Sequence, residues 1–247
     1  MAIDLTKMKE KLSELKNRGG DKSNFWRPID GEQTIRIVPT KDGDPFKDFW
    51  FHYDLGENSG FLCPKKNFGD SCAACNFAST LFKEGTDDSV KMAKKLLPRQ
   101  RFFSPVLVRG EEKEGVRIWG YGKMAYESLL NLVLNPEYGD ITDVEEGVDL
   151  VLNYGKPPGA TFPQTKLTPR RRNSVLCDEK VADCNELLES IPEFSSLFER
   201  KASEEVETIL DEYLSGEEAD ENSKETVKSS DNGGNKVEQA FQELLNG

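Results

Sequence analysis

The chain is expected to be mainly β with helical additions (α+β), a small barrel that carries an inserted compact subdomain. Three observations lead there. Five short runs rich in β-branched and aromatic residues, QTIRIVP (33–39), DFWFHYDL (48–55), FFSPVLVR (102–109), VRIWGYG (116–122) and VDLVLNYG (148–155), are punctuated by Gly, Pro and Asp as strands require. A stretch of different character, about residues 50–98, holds the only histidine and three of the five cysteines. The hydrophobic fraction is 36% and the formal net charge −12, so a packed core is expected over only part of the 247 residues.

Residues 1–20 form an arm. Leu5, Met8, Leu12 and Leu15 repeat at steps of three and four, which predicts an amphipathic helix over 4–16 ended by Gly19 and Gly20. The arm is basic: through Arg27 it carries seven Lys or Arg against four acids. The strands follow from residue 25 within a core spanning 21–214, interrupted by helices at 89–97, stopped by Pro98, and at 123–134, stopped by Pro136. Past Thr168 helical spacing returns in CNELLESI and FSSLFERKASEEVETILDEYL.

Residues 215–247 carry eight acids and three lysines, a local charge of −5, with little to bury, and are expected to be disordered. Apolar positions return at Val237, Phe241, Leu244 and Leu245, a short hook for a partner. No run approaches the roughly twenty apolar residues of a membrane span, and the first twenty residues lack a signal peptide's apolar segment, so a soluble, cytoplasmic protein is expected. In such a compartment five cysteines do not suggest disulfides.

His52, Cys63, Cys72 and Cys75 supply the four nitrogen and sulfur ligands of a structural zinc site. The CxxC turn lets two thiolates converge on one ion, His52 sits on a strand, and Cys63 lies across the turn at 56–60 on the neighbouring strand. Cys177 and Cys184 read as core cysteines or incidental thiols. A closed four-ligand site has no position for water or substrate, and the only imidazole is used by it. The chain also lacks HExxH, GxxxxGK[ST], GxSxG and a GxGxxG after a strand, so no enzyme is expected.

Rings recur beside cations: Arg99, Arg101, Phe102 and Phe103; Arg117, Trp119, Tyr121 and Lys123; Lys156, Phe162 and Lys166; and then Arg170, Arg171 and Arg172. Unpaired nucleic acid needs this pairing, cations for phosphates and open ring faces for unstacked bases. Strand alternation puts Arg117, Trp119 and Tyr121 on one face and Val116, Ile118 and Gly120 on the other, which is either a base platform or a half-buried surface. The negative net charge does not oppose such binding, because charges beyond a Debye length of about 8 Å are screened. The acidic tail either occupies the cleft when no strand is bound or only solubilises the chain.

Taken in order, the arm, FWRPIDGEQTIRIVP, the His52–Cys75 set, RQRFFSPVLV, VRIWGYGKM, EGVDLVLNYG and GATFPQTKL resemble the T-even type phage single-stranded DNA-binding proteins. The resemblance implies an OB-fold core with a zinc subdomain and one structural zinc. It implies an arm for cooperative self-association, approximated here by Thr6, Lys7, Met8, Lys9 and Lys11, and an acidic tail for replication and recombination proteins. It places Phe102, Phe103, Trp119, Tyr121 and Phe162 as rings along the DNA cleft, and Arg99, Arg101 and Lys123 as its cations. The expected function is sequence-nonspecific coating of single strands in phage replication, recombination and repair inside an infected host cell. The rivals are a zinc-ribbon factor contacting duplex DNA, which needs a polar recognition helix that 123–134 does not supply, and a zinc enzyme.

Overall fold

The computed structural model describes residues 25–55, 60–177 and 183–224, the last eight of them through the backbone alone. The expected arm helix, most of the turn at 56–60 and the hook at 237–245 lie outside the described residues. The described parts of 1–48 and 101–197 form one compact unit, and those of 49–100 and 198–247 a second.

In the first unit, strands β1 (Phe25–Trp26), β2 (Gly31–Ile37), β5 (Arg99–Val108, from residue 101 on), β6 (Arg117–Tyr121), β7 (Leu150–Gly155) and β8 (Gln164–Pro169) lie in the order β1-β6-β5-β2-β7-β8. Strand β1 runs parallel to β6 and the other pairs are antiparallel. The register aligns Ile35 with Val108 and Leu150, Ser104 with Trp119, and Phe102 with Tyr121. Because side chains alternate and paired residues share a face, Ile35, Ile37, Phe102, Val106, Val108, Trp119, Tyr121, Leu150 and Leu152 meet on one side. All are buried, with Trp26, and are covered by Ala125 and Leu129 of the helix Lys123–Val133. The opposite face packs Leu107 with Val38, Val116, Leu176 and Leu187.

Register also explains Gly120. It lies opposite Phe103, and a Cβ there would stand 2.9 Å from the Phe103 ring, so the ring fills the space a side chain would need. On the same face as Leu107 sits Arg36, fully buried. It donates to Asp149 at 3.2 Å and to the carbonyl of Ser174, while Arg109 grips Asp149 with Nε at 3.1 Å and Nη2 at 3.0 Å. Burial pushes the Arg36 pKa down, Asp149 pulls it back up, and the like charge of Arg109 lowers it again. One carboxylate thus bridges two arginines inside the unit.

The second unit contains the end of β3 (Lys47–His52), its antiparallel partner β4 (Phe61–Leu62), and helices α1 (Pro64–Phe68), α2 (Ala73–Glu84) and α3 (Asp87–Leu96). Gly69 at φ 79° closes α1, its N–H donating to the Lys65 carbonyl, a conformation that suits glycine. Thr86 starts α3 by a reciprocal cap with Ser89. Phe61, Phe77, Leu81 and Leu96 pack with Val206, Ile209, Leu210 and Leu214 of a late helix, Ser203–Lys224.

Four features depart from the sequence reading. Strand β8 was not expected; its residues alternate exposed and half-buried, and Lys, Gln and Pro mask the pattern. Helices α1 and α2 around the cysteines were not expected, although Ala74, Phe77, Ala78 and Leu81 of α2 recur at helical spacing and are buried. The late helix runs ten residues beyond Leu214, because the Glu, Ala and Lys that follow it favour helix once a packed start exists. Cys177 and Cys184, read as core cysteines or incidental thiols, pack against the core and are joined in a disulfide, which corrects the expectation that the cysteines form none. With the late helix numbered last, the labels are α4 (Lys123–Val133), α5 (Cys184–Glu189) and α6 (Ser203–Lys224). Among the described residues no helix is long and apolar enough to cross a membrane.

Candidate metal centre and nucleic-acid interface

Within the second unit, His52 ends β3, Cys63 follows β4 as the residue capping α1, Cys72 caps α2 and Cys75 lies in its first turn. The hairpin and two helix starts therefore deliver one ligand atom each from His52, Cys63 and Cys72, and the CxxC turn adds Cys75. The four atoms lie within 4.8 Å of one another. His52 Nε2 is 3.4 Å from Cys72 Sγ and 3.6 Å from Cys75 Sγ, and Cys63 Sγ is 3.5 Å from Cys75 Sγ. A tetrahedron with metal–sulfur bonds of about 2.3 Å and a metal–nitrogen bond of about 2.0 Å places its corners about 3.5 to 3.8 Å apart. The residues fit one zinc ion.

The surroundings point the ligands inward. His52 Nδ1–H donates to the Leu96 carbonyl at 2.8 Å, which leaves the Nε2 lone pair for the cluster. The Lys66 N–H donates to Cys63 Sγ at 3.4 Å. Asn67 holds α1 against β3: its Nδ2 donates to the carbonyls of Trp50 and Cys63 at 2.8 and 2.9 Å, and its Oδ1 accepts from the Trp50 N–H at 3.0 Å. The start of α2 adds its positive end to the thiolates at Cys72 and Cys75.

The charge balance of the bare cluster favours a cation. Hydrogen bonds from Cys72 and Cys75 draw the Cys63 pKa down, whereas Cys63 and Cys72 push that of Cys75 up. Three thiolates in one buried pocket repel, so ionising the first hinders the next. Burial opposes a charged His52, but the thiols Cys63 and Cys72 outweigh it and raise its pKa to about 9. A divalent ion replaces that proton and meets all three thiolates at once.

The sequence missed Leu96 and Asn67. Leu96 acts through a backbone carbonyl, which no residue pattern announces, and Asn67 had only its place beside a basic pair as a signal.

The ring and cation positions separate by burial. Phe102, Trp119 and Tyr121 are 3%, 1% and 3% exposed, and Phe103 is 7% exposed. Phe102 stacks on Tyr126 at 3.9 Å, Trp119 lies against Tyr121 at 4.3 Å and edge-on to Trp26 at 6.3 Å, and Phe103 meets Phe25 edge-on at 6.3 Å. The Tyr121 hydroxyl shares a 2.7 Å hydrogen bond with Ser104, and burial raises its pKa. The alternation expected for Arg117, Trp119 and Tyr121 has the right period, but Trp119 and Tyr121 lie on the core side. Of the two readings of this face, a base platform or a half-buried surface, their burial against Trp26 of β1 and Ala125 of α4 favours the second. Arg117 is half-buried and paired with Glu111.

The remaining positions face solvent. In the second unit Arg99 is exposed; in the first, Lys123, Lys156 and Lys166 are exposed, Arg101 is half-buried, and Phe162 is 75% exposed between β7 and β8. Lys123 pairs with Glu127 one turn on at 3.5 Å. A groove of about 530 Å³ runs between α4 and the β7–β8 hairpin, lined among others by Ser128, Asn153, Lys156, Gln164 and Lys166. Two cations, a hydroxyl and two amides suit an extended polyanion better than an apolar ligand.

The model of the family described as gp32 DNA binding protein like matches residues 29–214, a span that holds all four metal ligands and every candidate contact from Arg99 to Lys166. Comparison with curated proteins gives no match. With more than half of its length matched, the chain belongs to the gp32-like DNA-binding protein family.

Proposed function

We propose that the protein binds single-stranded DNA with little sequence preference and coats unwound strands during replication, recombination and repair of phage DNA in the cytoplasm of an infected cell. The family match over 29–214 carries this reading. It is supported by the groove beside the β7–β8 hairpin, which Lys156 and Lys166 line, and by the exposed Phe162 in the connection between the two strands. We read the mixed sheet of the first unit as an OB-fold and the second unit as its zinc subdomain.

The roles divide by burial. Arg99, Arg101, Lys123, Lys156 and Lys166 track phosphates, and Phe162 stacks a base, worth about 1 to 3 kcal/mol with any base. Phe102, Phe103, Trp119 and Tyr121 build the wall from within. Duplex is disfavoured because paired, stacked bases cannot reach a protruding ring. Zinc fixes the fold of the second unit and takes no part in chemistry. The basic arm, residues 1–20, is proposed to join neighbouring molecules on the strand, and the acidic tail, residues 215–247, to dock replication and recombination proteins.

Titration against poly-dT and against duplex of equal length, at two salt concentrations, tests the central reading. Tighter binding of poly-dT is expected at both; equal affinities, or no binding of either, would overturn it. Deleting residues 1–20 is expected to weaken binding to long oligonucleotides more than to short ones. Equal losses would remove the self-association role.

A further inference from the structure

The Cys177–Cys184 disulfide holds Cα atoms 5.6 Å apart and joins two differently anchored segments of the first unit. On one side the strap 170–177 leaves β8 and is fixed from within. The N–H groups of Arg170, Ser174 and Leu176 donate to the carbonyls of Asp149, Gly147 and Val144 at 2.9, 3.0 and 2.7 Å. Arg109 donates to the carbonyls of Val175 and Leu176 at 2.7 and 2.9 Å. On the other side Cys184 begins α5, six residues long with Leu187 as its single buried side chain. So small a buried face holds a helix weakly, and local opening is expected wherever packing is this sparse. The disulfide ties the weakly held segment to the firmly held one.

Position separates this pair from the metal ligands. Cys63 and Cys72 are fully buried and Cys75 is half-buried, but all three share one ligand cluster with His52 in the second unit, whereas the half-buried Cys177 and Cys184 are bonded to each other in the first. A zinc site of three cysteines requires thiolates, so the protein must work where thiols persist, and a half-exposed disulfide in that setting exchanges with the same thiol pool.

We propose that Cys177 and Cys184 form a reversible thiol–disulfide modification site that clasps α5 to the strap when oxidised and frees it when reduced. The oxidant is a low-molecular-weight disulfide of the glutathione type. One thiolate of the pair attacks a sulfur of that disulfide, forms a mixed disulfide and expels one thiolate. The second cysteine, deprotonated, then attacks the mixed disulfide at the protein sulfur and expels the other. Two electrons pass from the cysteine pair to the small disulfide, which leaves as two thiols; reduction reverses both steps.

The test equilibrates the zinc-loaded full chain at graded ratios of reduced to oxidised glutathione, followed by acid quench, alkylation and peptide mapping. The expected result is a cross-linked Cys177–Cys184 peptide that grows with the oxidised fraction, while Cys63, Cys72 and Cys75 do not join it. In Cys184→Ser the resolving thiol is gone, so Cys177 is expected to accumulate as the glutathione mixed disulfide. Limited proteolysis within 184–197 is expected to run at least about tenfold faster on the reduced chain, since the short ring no longer restrains the opened state. The double variant Cys177→Ser, Cys184→Ser should be cut at the reduced rate under both conditions. Full alkylation of Cys177 and Cys184 at every ratio, or equal cleavage rates for the two redox states, overturns the proposal.

Discussion

Cys72 stands at the N-cap position of α2, where its side chain makes no capping bond and instead supplies a thiolate 3.4 Å from His52 Nε2. Replacing it with serine keeps the shape and removes the soft donor, so Cys72→Ser is expected to lose stoichiometric zinc. Because structural zinc binding energy is folding energy, the second unit should lose its cooperative melting transition. Zinc content and thermal denaturation together check this, and retention of one equivalent of zinc would contradict it. Asp149 presents a different case, a buried carboxylate between Arg36 and Arg109. Asp149→Asn leaves two arginines short of their counter-charge and should cost about 3 to 5 kcal/mol in denaturant unfolding, since breaking a buried ion pair strands the remaining charge. A cost below about 1 kcal/mol would mean that water already shares the pocket. His52, raised to about 9, adds a pH sign. Its proton competes with the metal, as do those of the thiols, so a chelator should strip zinc more readily at pH 6 than at pH 8, measured by a colorimetric zinc indicator.

The β7–β8 hairpin concentrates the proposed DNA contacts on one element. Its strands pair Asn153 with Lys166 and Gly155 with Gln164, which brings Lys166 beside the Lys156 end and leaves Phe162 at the connection. Removing both lysines as Lys156→Gln and Lys166→Gln is expected to weaken poly-dT binding and flatten the dependence of log K on log salt by about 0.7 for each lost phosphate contact. Phe162→Ala should cost about 1 to 3 kcal/mol at any salt concentration, because stacking releases no counterions. The contrast is the check: a salt slope that falls with Phe162→Ala and stays fixed with the lysine pair would reverse the assigned roles. Strand β6 shows why an element has to be placed before its residues are assigned. Trp119 and Tyr121 look identical in sequence whether they serve a base or a core, and only α4 and β1 decide between the two.

At the scale of the molecule, each of the two units has its own apolar core. Only the second holds the metal ligands, so chelation should act on one unit alone. Trp50 reports on the second unit and Trp26 and Trp119 on the first. Zinc removal is expected to lower amide protection in α2 and α3 while leaving β2, β5 and β7 protected, read by hydrogen exchange. Simultaneous loss in both sets would show that the first unit depends on the metal as well.

The sequence by itself determined the ligand set, since four soft donors with a CxxC turn leave few alternatives to one zinc, and it determined the β character, since β-branched runs between breakers pack in few other ways. It also determined the period of β6, whose residues from Arg117 to Tyr121 alternate between the two faces, although not that of β8. Tertiary structure alone decided that both faces of β6 are interior, because the partners that cover Trp119 and Tyr121 are Trp26, far back in the chain, and Ala125 in the helix that folds back after the strand, while Val116 packs in the opposite core. It alone supplied the Leu96 carbonyl to His52 from 44 residues away, since proximity across a fold is set by packing and leaves no trace in spacing, and it alone joined Cys177 to Cys184, whose separation of seven residues fits a bonded and an unbonded pair alike.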